Sequence, residues 1–138
     1  LSAMTSSPES LLSRIQRFWR AMAPDLQPTE PTVIQIDAWR SEFHWQGNPL
    51  LFDHRQQTIM RGGRVFAKYS DVQAVDIRLI RVNSGDRHGY MSLSDRWDVC
   101  FKLGMFSHPV IGMTHDEVEA SIAAARVAGI FGATVRAP

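Results

Sequence analysis

The residues best equipped for chemistry are five histidines, a single cysteine and a scatter of aspartates. The histidines are His44, His54, His88, His108 and His115. No two stand at metal-ligand spacing on one predicted element, and no His-Glu-x-x-His pattern occurs, so no metal site is expected. Cys100 falls on the outward side of an alternating run, beside Lys102. A lysine there would lower the thiol pKa, but no histidine is placed to act as base. Asp71, Asp76, Asp86, Asp95 and Asp98 cannot be paired from spacing, and no Gly-x-Ser-x-Gly elbow occurs. Gly62-Gly63 and Gly129-x-x-Gly132 lack the strand-to-helix context of phosphate loops. The chain therefore reads as non-catalytic, with no cofactor, the alternative being a small enzyme whose pocket no motif reveals.

The cationic groups are more suggestive. Arg14, Arg17 and Arg20 lie at intervals of three, opposite an apolar face of Leu11, Ile15, Phe18, Trp19 and Met22. That spacing predicts an amphipathic helix. Its apolar face would dock on the rest of the chain, on a second copy or on a protein partner. The alternative is an anionic membrane surface, read by the arginines. Arg61, Arg64 and Lys68 form a second group on one predicted hairpin face, beside Ile59 and Phe66. They would suit an acidic headgroup or acidic peptide, the plainer reading being a solvated hairpin tip. Trp45 with Arg40 and His44 is the one local hint of a base-stacking platform. A net charge of +1 argues against nucleic acid as a partner.

The elements that position these groups follow from periodicity. Residues 96–103 alternate, with Trp97, Val99, Phe101 and Leu103 on the side expected to be buried. Upstream, Ser6-Ser7-Pro8-Glu9 starts the predicted helix over 6–23, and 24–32 reads as a proline-bearing linker. Residues 1–5 read as a tail or cloning remnant. Strands are expected over 33–40, with a continuation over 42–46, and over 50–53, 58–61 and 64–69. Gly62-Gly63 sets a hairpin in which Arg61 faces Arg64, Met60 faces Val65 and Ile59 faces Phe66. Its better core face is Met60, Val65, Ala67 and Tyr69. Residues 72–82 form the longest strand, and a parity flip near its end suggests a bulge or bend. A polar loop follows over 83–89, a short strand or strand start over 90–93, and a last strand over 108–113. Thr114-His115-Asp116-Glu117 reads as a capping box opening a helix that Gly132 stops, with Val118, Ile122, Ala125 and Gly129 as its apolar stripe and Ala120, Ala123, Ala124 and Ala128 as small residues around it that allow close approach to a sheet.

The order is thus helix, about seven short strands, helix: an α+β, mainly β class, with a single domain over 33–135. Phe52-Asp53, Thr58-Ile59, Tyr69-Ser70-Asp71-Val72, Val75-Asp76-Ile77 and Trp97-Asp98-Val99, followed by the small-residue helix, resemble bacterial pleckstrin-homology-like domains. The resemblance spans residues 33–132. It implies a seven-stranded antiparallel barrel or sandwich closed by the C-terminal helix. It also implies a binding or scaffold role, in lipid or protein recognition, in place of catalysis. The N-terminal helix is extra to it.

Composition bounds the rest. The chain has 138 residues, 44% hydrophobic and 21% charged, an ordinary globular balance. A lone cysteine points to a reducing, cytoplasmic setting, with membrane association left open by the arginine helix. No apolar run is long enough to span a bilayer.

Overall fold

The computed structural model describes residues 30–85, 89 and 91–138, with the backbone alone for 82–85 and 91–93. The helix expected over 6–23 lies outside the described residues. Among those described, nine strands and one α-helix follow one another, against about seven strands expected. They are β1 (Thr32–Gln35), β2 (Arg40–His44), β3 (Leu50–Asp53), β4 (Thr58–Arg61), β5 (Arg64–Lys68), β6 (Ala74–Gly85), β7 (Met91–Lys102), β8 (Val110–Thr114), α1 (Glu117–Phe131) and β9 (Val135–Arg136). The class is mainly β, as expected. The strands form two sheets and no closed barrel: a meander β1-β2-β3-β4-β5, and a second sheet ordered β8-β7-β6-β9.

Aspartates make the extra turns. The strand expected over 33–40 breaks because the Asp37 carboxylate accepts the backbone N–H of Trp39 and of Arg40, at 2.8 and 2.7 Å. It also grips the Arg40 guanidinium. A side chain that replaces ladder bonds in this way folds the chain back on itself. Asp53 repeats the device at the end of β3, accepting from Arg55 and Gln56.

The glycine hairpin forms where expected, with φ of 58° and 76° at Gly62 and Gly63. Arg61 faces Arg64 and Met60 faces Val65, but Ile59 faces Ala67. Phe66 is the extra residue of a bulge. The bulge corrects the expected core face: Ile59 and Ala67 are buried, while Val65 is exposed. Ile59 faces Phe52 across the sheet, and Phe66 meets Phe101 edge to face at 5.8 Å.

The β6–β7 ribbon runs from Ala74↔Lys102 to Gly85↔Met91 without a register shift. Of the bulge or bend expected near the end of β6, the bulge is therefore absent, and the polar loop begins later than expected. The parity flip marks the point where the ribbon passes the core: Val75 is fully buried, whereas Leu79 is 42% exposed.

α1 begins at Asp116, whose carboxylate accepts the Val118 N–H. Thr114 serves Glu119 instead, donating to its carboxylate. The helix contacts β1, β6, β7, β8 and β9. Its buried face is Ala120, Ala123, Ala124, Val127 and Ala128. The stripe expected to be buried points outward: Val118 is 65% exposed, and Ile122, Ala125 and Gly129 are exposed too. Close approach to the sheets suits the small side chains, and Val127 is the single branched one on that buried face. Phe131 ends the helix against Phe52, Tyr69 and Phe101, with ring centroids 5.2–5.9 Å away. Pro31, ahead of β1, is buried, and Arg126 of α1 donates to its carbonyl.

Candidate functional site

The two expected binding groups fare differently. Arg14, Arg17 and Arg20, with the face of Leu11, Ile15, Phe18, Trp19 and Met22, lie outside the described residues. Arg61, Arg64 and Lys68 are described, and they do not share one face. The bulge at Phe66 turns Lys68 to the side of Thr58 and Met60, away from Arg61 and Arg64. Arg61 is also committed. Its guanidinium donates to the Asn48 and Ile111 carbonyls at 3.2 and 3.3 Å and lies 5.5 Å from the Phe66 ring centroid. It ties β4 to β8, and burial lowers its pKa. Arg64 and Lys68 remain exposed at the hairpin.

Cys100 is buried, not outward in water as the alternation suggests. The Cys100 Sγ lies 3.6 Å from the Asp76 carbonyl, and burial, with Asp76 adding to it, pushes the thiol pKa up against the pull of Arg78. A thiol held protonated is a poor nucleophile. His44 bonds Glu42 at 2.6 Å, His54 pairs with the Tyr69 hydroxyl at 2.9 Å, and His115 meets the Asp95 carbonyl. Among the described residues no group of three His, Cys, Asp or Glu side chains could hold a metal. No described helix is long and apolar enough to cross a membrane. Trp45 is no stacking platform: its Nε1 donates to Glu119 at 2.8 Å and its ring covers Gly112.

A different site emerges on the free side of β6. The Val75 N–H donates to the Thr134 carbonyl at 2.8 Å, so Val75 turns its backbone groups away from β7. Strand alternation then aims those of Ile77, Leu79, Arg81, Asn83 and Gly85 the same way. β9 pairs in parallel with Val75 and Asp76 and goes no further. Beyond it, among the described residues, no strand covers the edge. Arg136 fixes the tail there with a bidentate bond to Asp76, at 2.7 and 2.8 Å, and this bond holds the Asp76 carboxyl below its usual pKa. A groove of 450 Å³ opens where the tail leaves the edge, lined by Ile77, Arg78, Leu79, His108 and Ala137 among others. Asp76 and Arg136 offset one another in it, which leaves the Arg78 guanidinium with His108 beside it. They suit an acidic side chain, and the bare amides and carbonyls suit an extended backbone.

Sequence reasoning passed over this edge because edge status depends on strand order, which periodicity does not report. It also passed over Trp39, which is exposed with the Arg55 guanidinium stacked 4.3 Å from its ring centroid. The adjacent apolar pair Met105-Phe106, between two predicted strands, was the one visible hint of an exposed loop tip. Comparison with family models finds no match, and neither curated proteins nor solved structures give a significant one.

Proposed function

We propose that this domain is a non-catalytic binding module that associates with protein by taking an extended segment along the β6 edge. The observation that carries the reading is the strand pairing already present on this edge. β9 lies parallel along it at Val75 and Asp76, and among the described residues no strand lies beside the outward backbone groups from Ile77 onward. An incoming strand would find the backbone groups of Leu79, Arg81, Asn83 and Gly85 in register. Leu79, Arg78 and His108 would supply selectivity for a segment carrying apolar and acidic residues. The partner segment belongs to another protein or to a second copy of this chain. The two mainly antiparallel sheets and the C-terminal helix support a pleckstrin-homology-like assignment, which the same proposal carries.

Proline at Arg81 tests it. The Arg81 amide faces the free edge, so Arg81→Pro removes a docking donor without removing a backbone bond to β7, and Arg81→Ala, which loses the same 3.4 Å ion pair to Asp95 but keeps the amide, is the control. Peptides selected from a random library against the wild-type chain are expected to bind Arg81→Pro at least about tenfold more weakly. Equal binding to a correctly folded variant, or failure to select any peptide, would reject the edge as the site.

A further inference from the structure

Lys102 ends β7 and Val110 begins β8, and between them the chain makes a tight turn. The Leu103 N–H donates to the Ser107 carbonyl at 2.9 Å, and Gly104 takes a φ of 137°, which side chains disfavour. The closed turn thrusts Met105 and Phe106 outward. They are 79% and 91% exposed, more than any other large apolar side chains among the described residues. Two adjacent apolar side chains on a convex tip contribute nothing to the core. Their exposure points to a medium outside the chain.

The surroundings identify that medium. Lys102 and His108 flank the tip in sequence, and His108 shares its groove with Arg78 and Arg136. The acid in that groove, Asp76, is already answered by Arg136. With Asp76 and Arg136 offsetting one another, Lys102 and Arg78 leave the rim of the tip net positive. An apolar wedge ringed by cations matches the surface of an anionic bilayer, with acyl chains beneath and phosphate or carboxylate above. We propose that the turn inserts Met105 and Phe106 into the interfacial layer of an anionic membrane, with Lys102, Arg78 and His108 against the headgroups. This places lipid contact on residues other than Arg61, whose guanidinium is spent on two carbonyls. It does not depend on the β6 edge.

Sedimentation of the full chain with vesicles tests the proposal. One set is phosphatidylcholine alone, the other phosphatidylcholine mixed with phosphatidylserine, both at low salt. The wild-type chain is expected to pellet with the mixed vesicles and not with the neutral ones. The double variant Met105→Ser, Phe106→Ser is expected to lose about tenfold or more of that binding at unchanged Tm, because neither side chain is part of the core. Lys102→Ala is expected to weaken binding less and to reduce its salt dependence. Three results would overturn the proposal: no pelleting with mixed vesicles, equal pelleting with neutral ones, or binding that survives the double serine variant. The last would assign lipid contact to another part of the chain, and the first would leave the tip to a protein groove.

Discussion

Two residues bear most sharply on the packing. Gly112 lies under Trp45 so closely that a Cβ would stand 2.2 Å from the indole ring. Gly112→Ala must therefore displace the ring and break the Trp45–Glu119 bond. A loss of about 2–3 kcal/mol is expected in urea unfolding, with a shift in tryptophan emission. An unchanged Tm would show that the indole is not held there. Tyr69 reports on the other end of the core. Burial, helped by nearby Asp53, raises its ionisation to about 12. The folded state thus prefers the neutral phenol. The unfolded chain releases that proton near pH 10, so stability is intact below about pH 10 and declines from there through the folded value. Tyr69→Phe keeps the ring and removes the titration. The wild-type chain should lose stability relative to this variant as pH rises through that window, measured by denaturant unfolding. A constant difference would mean that the hydroxyl is solvated.

Among the elements, α1 shows how a sequence pattern can be right in period and wrong in face. Val118, Ile122, Ala125 and Gly129 have helical spacing, and so do Ala120, Ala124 and Val127. Hydrophobicity favours the first set. The helix lies against both sheets at a distance that admits only the second. Ala124→Leu is expected to cost about 1–3 kcal/mol by overpacking, whereas Ile122→Ser should change stability by about 0.5 kcal/mol or less. The reverse ranking, in parallel thermal melts, would restore the face that hydrophobicity favours. The hairpin teaches a related lesson. Gly62-Gly63 made the turn and the pairing of Arg61 with Arg64 legible. The bulge at Phe66 was not, because Ile59 and Phe66 share one face in the unbulged register and nothing local forbids it. Asp37 did carry a readable signal, since an aspartate two residues before the returning strand can fold the backbone through its own carboxylate.

Across the molecule, the alternation over 96–103 correctly placed Val99 and Phe101 in the core and made a mainly β chain with a C-terminal helix readable. It misjudged Cys100 and Asp98, which are buried although they alternate with the core residues; Asp98 is held by the Arg96 guanidinium, and Cys100 lies opposite Asp76 on β6. Strand order was illegible too. A run of twelve residues in β6 reads identically whether one edge is covered or bare. The candidate site lies in that gap between periodicity and topology. Of the basic groups that the sequence did reveal, Arg61 is tied into the fold, Arg64 and Lys68 are exposed on different faces of the hairpin, and Arg14, Arg17 and Arg20 lie outside the described residues.

Hydrogen exchange resolved amide by amide along β6 is the most direct test. The amides of Arg78 and Ile80 face β7 and should exchange slowly. Those of Leu79 and Arg81 should exchange fast in the free chain and become slow when a selected extended peptide is added. Uniformly slow exchange along β6 in the free chain, or a bound peptide that protects neither Leu79 nor Arg81, would contradict an edge built to take a strand.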